Sequence, residues 1–255
     1  MNVRSTNIGL KLSLGLALAS AAPSAVSSSA ARAAEAPVDY LKASFRLERI
    51  LDWGERPDWS RDGKKLAFTK SDIEAGPAYE IDIATKRVRC LTCRWGANGD
   101  VTRIYYLPSG NFLIEGPPGL GTAQRSSDTK PHRDPRTTEL YWMAASLALP
   151  PQRLDAPAWG EIAIAAKPTA DGGAIIGWGA QQGANSRILT AELVETSDKA
   201  VLIDRRVVYS HDASKTVPGS ATFAETYGFR RDGSSIMFWT VEAPTLNGEM
   251  SELNL

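Results

Sequence analysis

The chain has 255 residues with 29 basic and 29 acidic side chains, two cysteines and two histidines, and 43% of its residues are hydrophobic. That composition supports a packed core and excludes wholesale disorder, a disulfide-framework miniprotein and a His-rich metal centre. The first 34 residues hold Arg4, Lys11 and Arg32 and no acid, so the other 26 basic and 29 acidic residues carry a net charge of −3, which excludes a strongly basic nucleic-acid binder.

Residues 1–34 read as an export signal. Positive charge at Arg4 and Lys11 precedes an apolar, small-residue run from Leu12 to Ala22, ended by Pro23 and a serine cluster. The run is about half of the roughly 20 residues a membrane span needs. Ala19-Ser20-Ala21 and Ala31-Arg32-Ala33 are candidate processing sites, and cleavage after Ala33 or Ala34 is preferred because mixed, charged sequence begins at Glu35. Residues 35–43 are a linker, and no later stretch is long and apolar enough to span a bilayer.

From residue 44 a pattern recurs four times. A turn dipeptide is followed, after two residues, by three mostly apolar positions: Asp62-Gly63 before Leu66-Ala67-Phe68, Ser109-Gly110 before Leu113-Ile114-Glu115, Asp171-Gly172 before Ile175-Ile176-Gly177, and Asp232-Gly233 before Ile236-Met237-Phe238. Such a pair suits a tight hairpin in which both residues tolerate positive φ. Third strands are predicted at Tyr79–Ile83, Glu139–Met143, Arg187–Leu193 and Glu249–Leu253. Fourth strands are predicted at Arg87–Leu91, Gln152–Leu154 and Ala200–Ile203. Residues 44–53 read as an orphan copy of the fourth strand. Four short antiparallel strands per unit are the mark of a β-propeller blade. The expectation is all-β, with units near 54–95, 96–158, 159–215 and 216–255, the last incomplete.

Arg56-Pro57-Asp58-Trp59-Ser60-Arg61-Asp62-Gly63-Lys64-Lys65-Leu66-Ala67-Phe68 resembles the repeat signature of TolB-like, WD-like β-propellers. Tyr79–Ile83, the turn at Ala84-Thr85 and Arg89–Thr92 resemble the rest of that repeat. The later units keep only the turn and strand pattern. The resemblance implies an exported scaffold that binds proteins or small ligands around a central channel. The same repeat resembles the gating propeller of prolyl-oligopeptidase-type hydrolases, but no Gly-x-Ser-x-Gly nucleophile motif occurs. Such propellers usually have six or more blades. With four units, the chain is either a piece of a longer propeller, the preferred reading, or a four-bladed ring closed by residues 44–53 pairing with the last unit.

Cys90 and Cys93 form the only C-x-x-C. An exported protein favours a disulfide, yet three extended residues span about 10 Å, beyond the roughly 7 Å reach of a bridged pair. A bridge therefore requires a turn at Leu91-Thr92. Structural disulfide, buried thiols and a redox or metal role all stay open. Gly116–Thr122 echoes a phosphate loop but lacks its lysine, and Pro117 and Pro118 remove N–H donors. The stretch to Arg136 reads as a solvated loop, with partner binding as the functional alternative. Trp59 is read as a buried core aromatic packing between blades, in preference to a stacking platform. Asp62 and Asp232 are explained by turn chemistry. No catalytic, cofactor or metal residues are assigned. The expected partner is a protein, without nucleic acid or a membrane span; a metal-dependent propeller enzyme is a further alternative.

Overall fold

The computed structural model describes residues 47–70, 76–95, 101–121, 138–170, 172–182, 185–211, 220–246 and 249–250. The signal, the linker, Asp171, the loop from 122 to 136 and the end of the last predicted strand lie outside these residues. All strands belong to the unit Glu48–Leu255.

Four antiparallel meanders make up the fold. The first sheet has β1 (Glu55–Trp59), β2 (Lys65–Thr69), β3 (Ala78–Asp82) and β4 (Val88–Cys90) in sequence order. The second has β5 (Arg103–Tyr106), β6 (Phe112–Gly116), β7 (Glu139–Met143) and β8 (Gln152–Pro157). The third has β9 (Trp159–Pro168), β10 (Ala174–Gln182), β11 (Asn185–Glu195) and β12 (Ala200–Ser210). The fourth, among the described residues, has three strands: β13 (Ser220–Phe229), β14 (Ile236–Leu246) and the short β15 (Glu249–Met250). Every pair of neighbours is antiparallel, so each sheet is a propeller blade made by successive hairpins.

The turns between first and second strands share one geometry. Gly63, Gly110, Gly172 and Gly233 have φ of 68°, 88°, 80° and 76°. Each donates its N–H to the carbonyl three residues back, on Ser60 (2.9 Å), Leu107 (2.9 Å), Thr169 (3.0 Å) and Arg230 (2.7 Å). Of the dipeptide's two residues only the glycine takes positive φ; Asp62 and Asp232 do not. One left-handed glycine closing a β-turn is enough to reverse the chain. The aspartates act through their carboxylates instead, Asp62 Oδ1 accepting from Lys64 N (3.1 Å) and Asp232 Oδ1 from Ser234 N (3.0 Å). The hydrogen bonds from the Ser60 hydroxyl and the Lys64 amide hold the Asp62 carboxyl below its usual range.

Packing follows from strand alternation. All residues of β6 and β7 are buried, because their sheet is covered on both faces. Leu113, Leu140 and Trp142 face the third sheet with Ile176, Trp178 and Leu193. Phe112, Ile114, Tyr141 and Met143 face the first sheet with Ala67, Ala78 and Leu91. Polar side chains tie the blades together at these seams. Tyr106 of β5 donates to Glu80 Oε1 of β3 (2.7 Å), while Trp142 Nε1 and Asn111 Nδ2 donate to Glu195 Oε1 of β11 (2.7 and 2.8 Å). Burial works against the Glu80 carboxylate, but Arg89, Tyr106 and Lys65 outweigh it and hold its pKa below the ordinary value.

The described part of the proposed orphan strand, residues 47–53, forms no strand. It lies on the first sheet rather than the fourth. Trp53 packs edge-on against Phe68 and Tyr79, with centroids 5.3 and 4.9 Å apart, and Glu48 pairs with Lys86 at 2.9 Å. The apolar side chains Ile50 and Leu51 are drawn onto Leu66, Phe68 and Ile81, so the described part of the segment caps a cluster of the first blade.

Cys90 closes β4 and Cys93 opens a single 3-10 turn, which brings their Cα atoms to 5.7 Å and their sulfurs into a bond. The turn forms because the residues between them are anchored in the core. Leu91 donates to Ala78 O (2.8 Å), and Thr92 Oγ1 accepts from Ala78 N (2.9 Å). The closed loop is short, so the chain-entropy relation gives the Cys90→Ser, Cys93→Ser double variant a loss of only about 2 kcal/mol. Urea melts of the two proteins check this; a loss above about 4 kcal/mol would mean the bridge does more than restrict the unfolded chain.

Candidate functional site

The first strand of every blade contributes to one cleft of about 720 Å³. Asp58 and Trp59 come from β1, Tyr105 and Tyr106 from β5, Glu161 to Ala166 from β9, and Glu225 to Gly228 from β13; Trp239 of β14 and Arg61, Leu107 and Pro108 of the turns complete it. This is the place a propeller channel occupies, where inner strands converge. Arg61 bridges the cleft by donating from its guanidinium to the Ala166 carbonyl.

The floor is a network of acids and arginines drawn from all four blades. Arg103 Nε lies 3.0 Å from Glu161 Oε1, and its terminal nitrogen lies 3.9 Å from Glu225 Oε1. Arg56 approaches Glu161 at 3.5 Å, and Tyr105 OH donates to Glu161 Oε2 at 2.6 Å. Glu225 Oε1 accepts the Glu161 N–H (3.0 Å), an approach that depends on Gly160: a Cβ there would sit 2.5 Å from the same oxygen, and its φ of +84° suits glycine. Beneath them Glu115, paired across strands with Arg103, is buried; its Oε1 accepts from Thr138 Oγ1 (2.8 Å) and its Oε2 has no hydrogen-bond partner.

These environments shift the carboxyls differently. Burial pushes Glu115 up to about 7, opposed by Arg103 and Thr138 and reinforced by Glu161 and Glu225. Burial also raises Glu225, against the Glu161 amide and Arg103. Asp58 is raised by burial, partly offset by hydrogen bonds from the Tyr106 and Trp59 amides. Tyr105, buried and bonded to Glu161, is held well above its ordinary value as a neutral donor.

Of the residues singled out from the sequence, Trp59 alone lines the cleft. Its expected burial is corrected: 53% of its surface is exposed, because position 59 ends an inner strand at the cleft and not at a blade seam. The buried indoles are Trp142 and Trp178. Trp59→Ala is therefore expected to reduce stability by less than about 1 kcal/mol, measurable by denaturant titration. Gly63, Gly110, Gly172, Asp62 and Asp232 stand at the turns, Cys90 and Cys93 at the outer edge of the first blade, and Asp171 lies outside the described residues. Asp58, Arg103, Tyr105, Glu115, Glu161 and Glu225 were not singled out as a site. The available signal was position: the channel residues stand on the strand just before, or on the strand just after, a repeated turn.

No protein-family model and no curated protein matches the chain. Among solved structures, a protein assigned as TolB from Agrobacterium tumefaciens is similar over 77% of this chain and 61% of its own, with 12% identity and a TM-score of 0.43. TolB from Acinetobacter baumannii is similar over 57% of this chain and 41% of its own, with 16% identity and a TM-score of 0.27. The chain thus spans less than two thirds of either protein. Its own blade topology, with first strands gathered around one channel, makes the fold a β-propeller.

Proposed function

We propose that this chain is an exported, TolB-like propeller that serves as a non-enzymatic scaffold, binding a protein partner at the mouth of the channel. The observation that carries this reading is the aromatic rim on a rigid frame: Trp59, Tyr227 and Trp239 line the cleft while 53%, 75% and 37% exposed. Exposed aromatic and arginine side chains around a concavity are the usual anchors of protein interfaces. The best-placed acid, Glu161, is held by Arg56, Arg103 and Tyr105, which suits a structural part better than proton transfer. Export rests on residues 1–34 and their charge and hydrophobic pattern.

Two measurements test it. A photoreactive benzoylphenylalanine in place of Tyr227, in the full-length chain in its source cells, should yield one discrete protein adduct in the exported fraction. The same group in place of Val88, exposed on β4 away from the cleft, should not. Equal adducts from both positions, or none from Tyr227, would remove the binding reading. Sequencing of the mature N-terminus should begin at Ala34 or Glu35, and an intact Met1 would remove export.

A further inference from the structure

The cleft's charges are unevenly compensated. Its lining carries the carboxylates Asp58, Glu161 and Glu225 against the single guanidinium of Arg61, which is occupied by the Ala166 carbonyl. The two arginines behind the lining both turn to Glu161, at 3.0 and 3.5 Å, and Glu225 has Arg103 only at 3.9 Å. Asp58 Oδ2 accepts the Tyr106 N–H at 2.7 Å, and no cation among the described residues lies within ion-pair distance of it. Two carboxylates are thus brought to the channel with little countercharge. Above them stand the exposed indoles of Trp59 and Trp239 and the aliphatic wall of Ile164.

From this arrangement we infer that the channel selects a cationic group on an aliphatic stem, the alkylammonium or guanidinium of a lysine or arginine side chain presented by the partner. The inference rests on the binding reading above and names its specificity. The stem of such a side chain packs on Ile164 and the indole faces, which also attract the cation through their ring quadrupoles. The head reaches Asp58 and Glu225, whose carboxyls burial pushes upward and whose ionised form a cation would favour. An acidic occupant would be repelled by both. A neutral sugar could stack on the indoles and accept or donate hydrogen bonds, but it would leave the charge where it is.

Four probes separate these chemistries on the full mature chain: acetyl-Gly-Lys-Gly-amide, the same peptide with norleucine for lysine, 1,5-diaminopentane and methyl glucoside. Binding is read from indole fluorescence and from the indole N–H resonances, assigned with Trp59→Phe and Trp239→Phe. The lysine peptide should bind at least about tenfold more tightly than the norleucine peptide and weaken several-fold when salt is raised from about 0.05 to 0.3 M. Asp58→Asn should weaken it at least about fivefold; Glu225→Gln is the second variant should the first unfold, and near-UV circular dichroism shows which remain native. Diaminopentane binding as well as the peptide would keep the cation chemistry and assign its source to free amines. Norleucine peptide or glucoside binding as tightly as the lysine peptide, no response to the lysine peptide or diamine, or indifference to Asp58→Asn in a folded variant would overturn the inference. The adduct formed at position 227 judges the binding reading separately, so the two can fail independently.

Discussion

Trp142→Ala is expected to destabilise the protein by about 3–5 kcal/mol, as large-to-small changes of buried aromatics do. The indole is 1% exposed, sits on the second blade among Leu113, Leu154, Ile176 and Leu193, and donates from Nε1 to Glu195 Oε1 at 2.7 Å. Truncation therefore opens a cavity and removes a donor from a half-buried carboxylate, two separate penalties at one seam. A domain commonly has only about 5–15 kcal/mol in hand, so the midpoint in urea should fall sharply, with the slope unchanged. Trp59→Ala is the internal control: same chemistry, half-exposed position, less than about 1 kcal/mol. Equal losses from the two variants would mean that the blades do not pack at the seam described.

The second large effect is a dependence on pH that one side chain should carry. The Glu115 carboxyl stands at about 7 in the fold against an ordinary 4.5, first because it is buried and then because Glu161 and Glu225 share its surroundings. The folded state therefore holds a proton that the unfolded chain releases. The stability due to this group is fully present below pH 4.5 and is lost as pH rises through 7. At about 1.36 kcal/mol per unit the loss is roughly 3 kcal/mol. Asp58 and Glu225, also raised, act in the same direction, so the wild-type curve alone does not single out position 115. Glu115→Gln does, because glutamine keeps an acceptor for Thr138 Oγ1 and does not ionise. Urea melts at pH 4.5 and 7.5 should show the variant gaining about 3 kcal/mol on the wild type across that interval. Parallel curves would show that Glu115 keeps its charge at no cost.

Much of the architecture was legible because it rests on local chemistry. A glycine that must take positive φ, an aspartate or serine beside it that caps the turn, and apolar positions directly after it are written contiguously, as at Asp62-Gly63 and Asp232-Gly233. The C-x-x-C was legible as a pair, but its bridge depended on whether Leu91 and Thr92 were drawn into the core, a matter of contact with Ala78. The channel was not legible as a site. Asp58, Arg103, Glu161 and Glu225 lie on four strands, each unremarkable in its own segment, and they meet only because inner strands of successive blades converge.

Residues 47–53 and Trp59 show the same division from the side of error. Both have sequences that suit a role they do not take: the first reads as a strand and caps a cluster, the second reads as core and faces a cleft. Hydrophobic pattern determines which side chains seek burial and with what period, and turn residues determine where the chain reverses. Those features by themselves established an all-β chain of repeated hairpins. Which face of each strand meets a neighbouring blade, which indole is left at the channel, and which carboxylate is denied a countercharge depend on contacts between segments tens of residues apart. The tertiary structure decided these, because burial and charge compensation belong to the assembled blades and to no one stretch of chain.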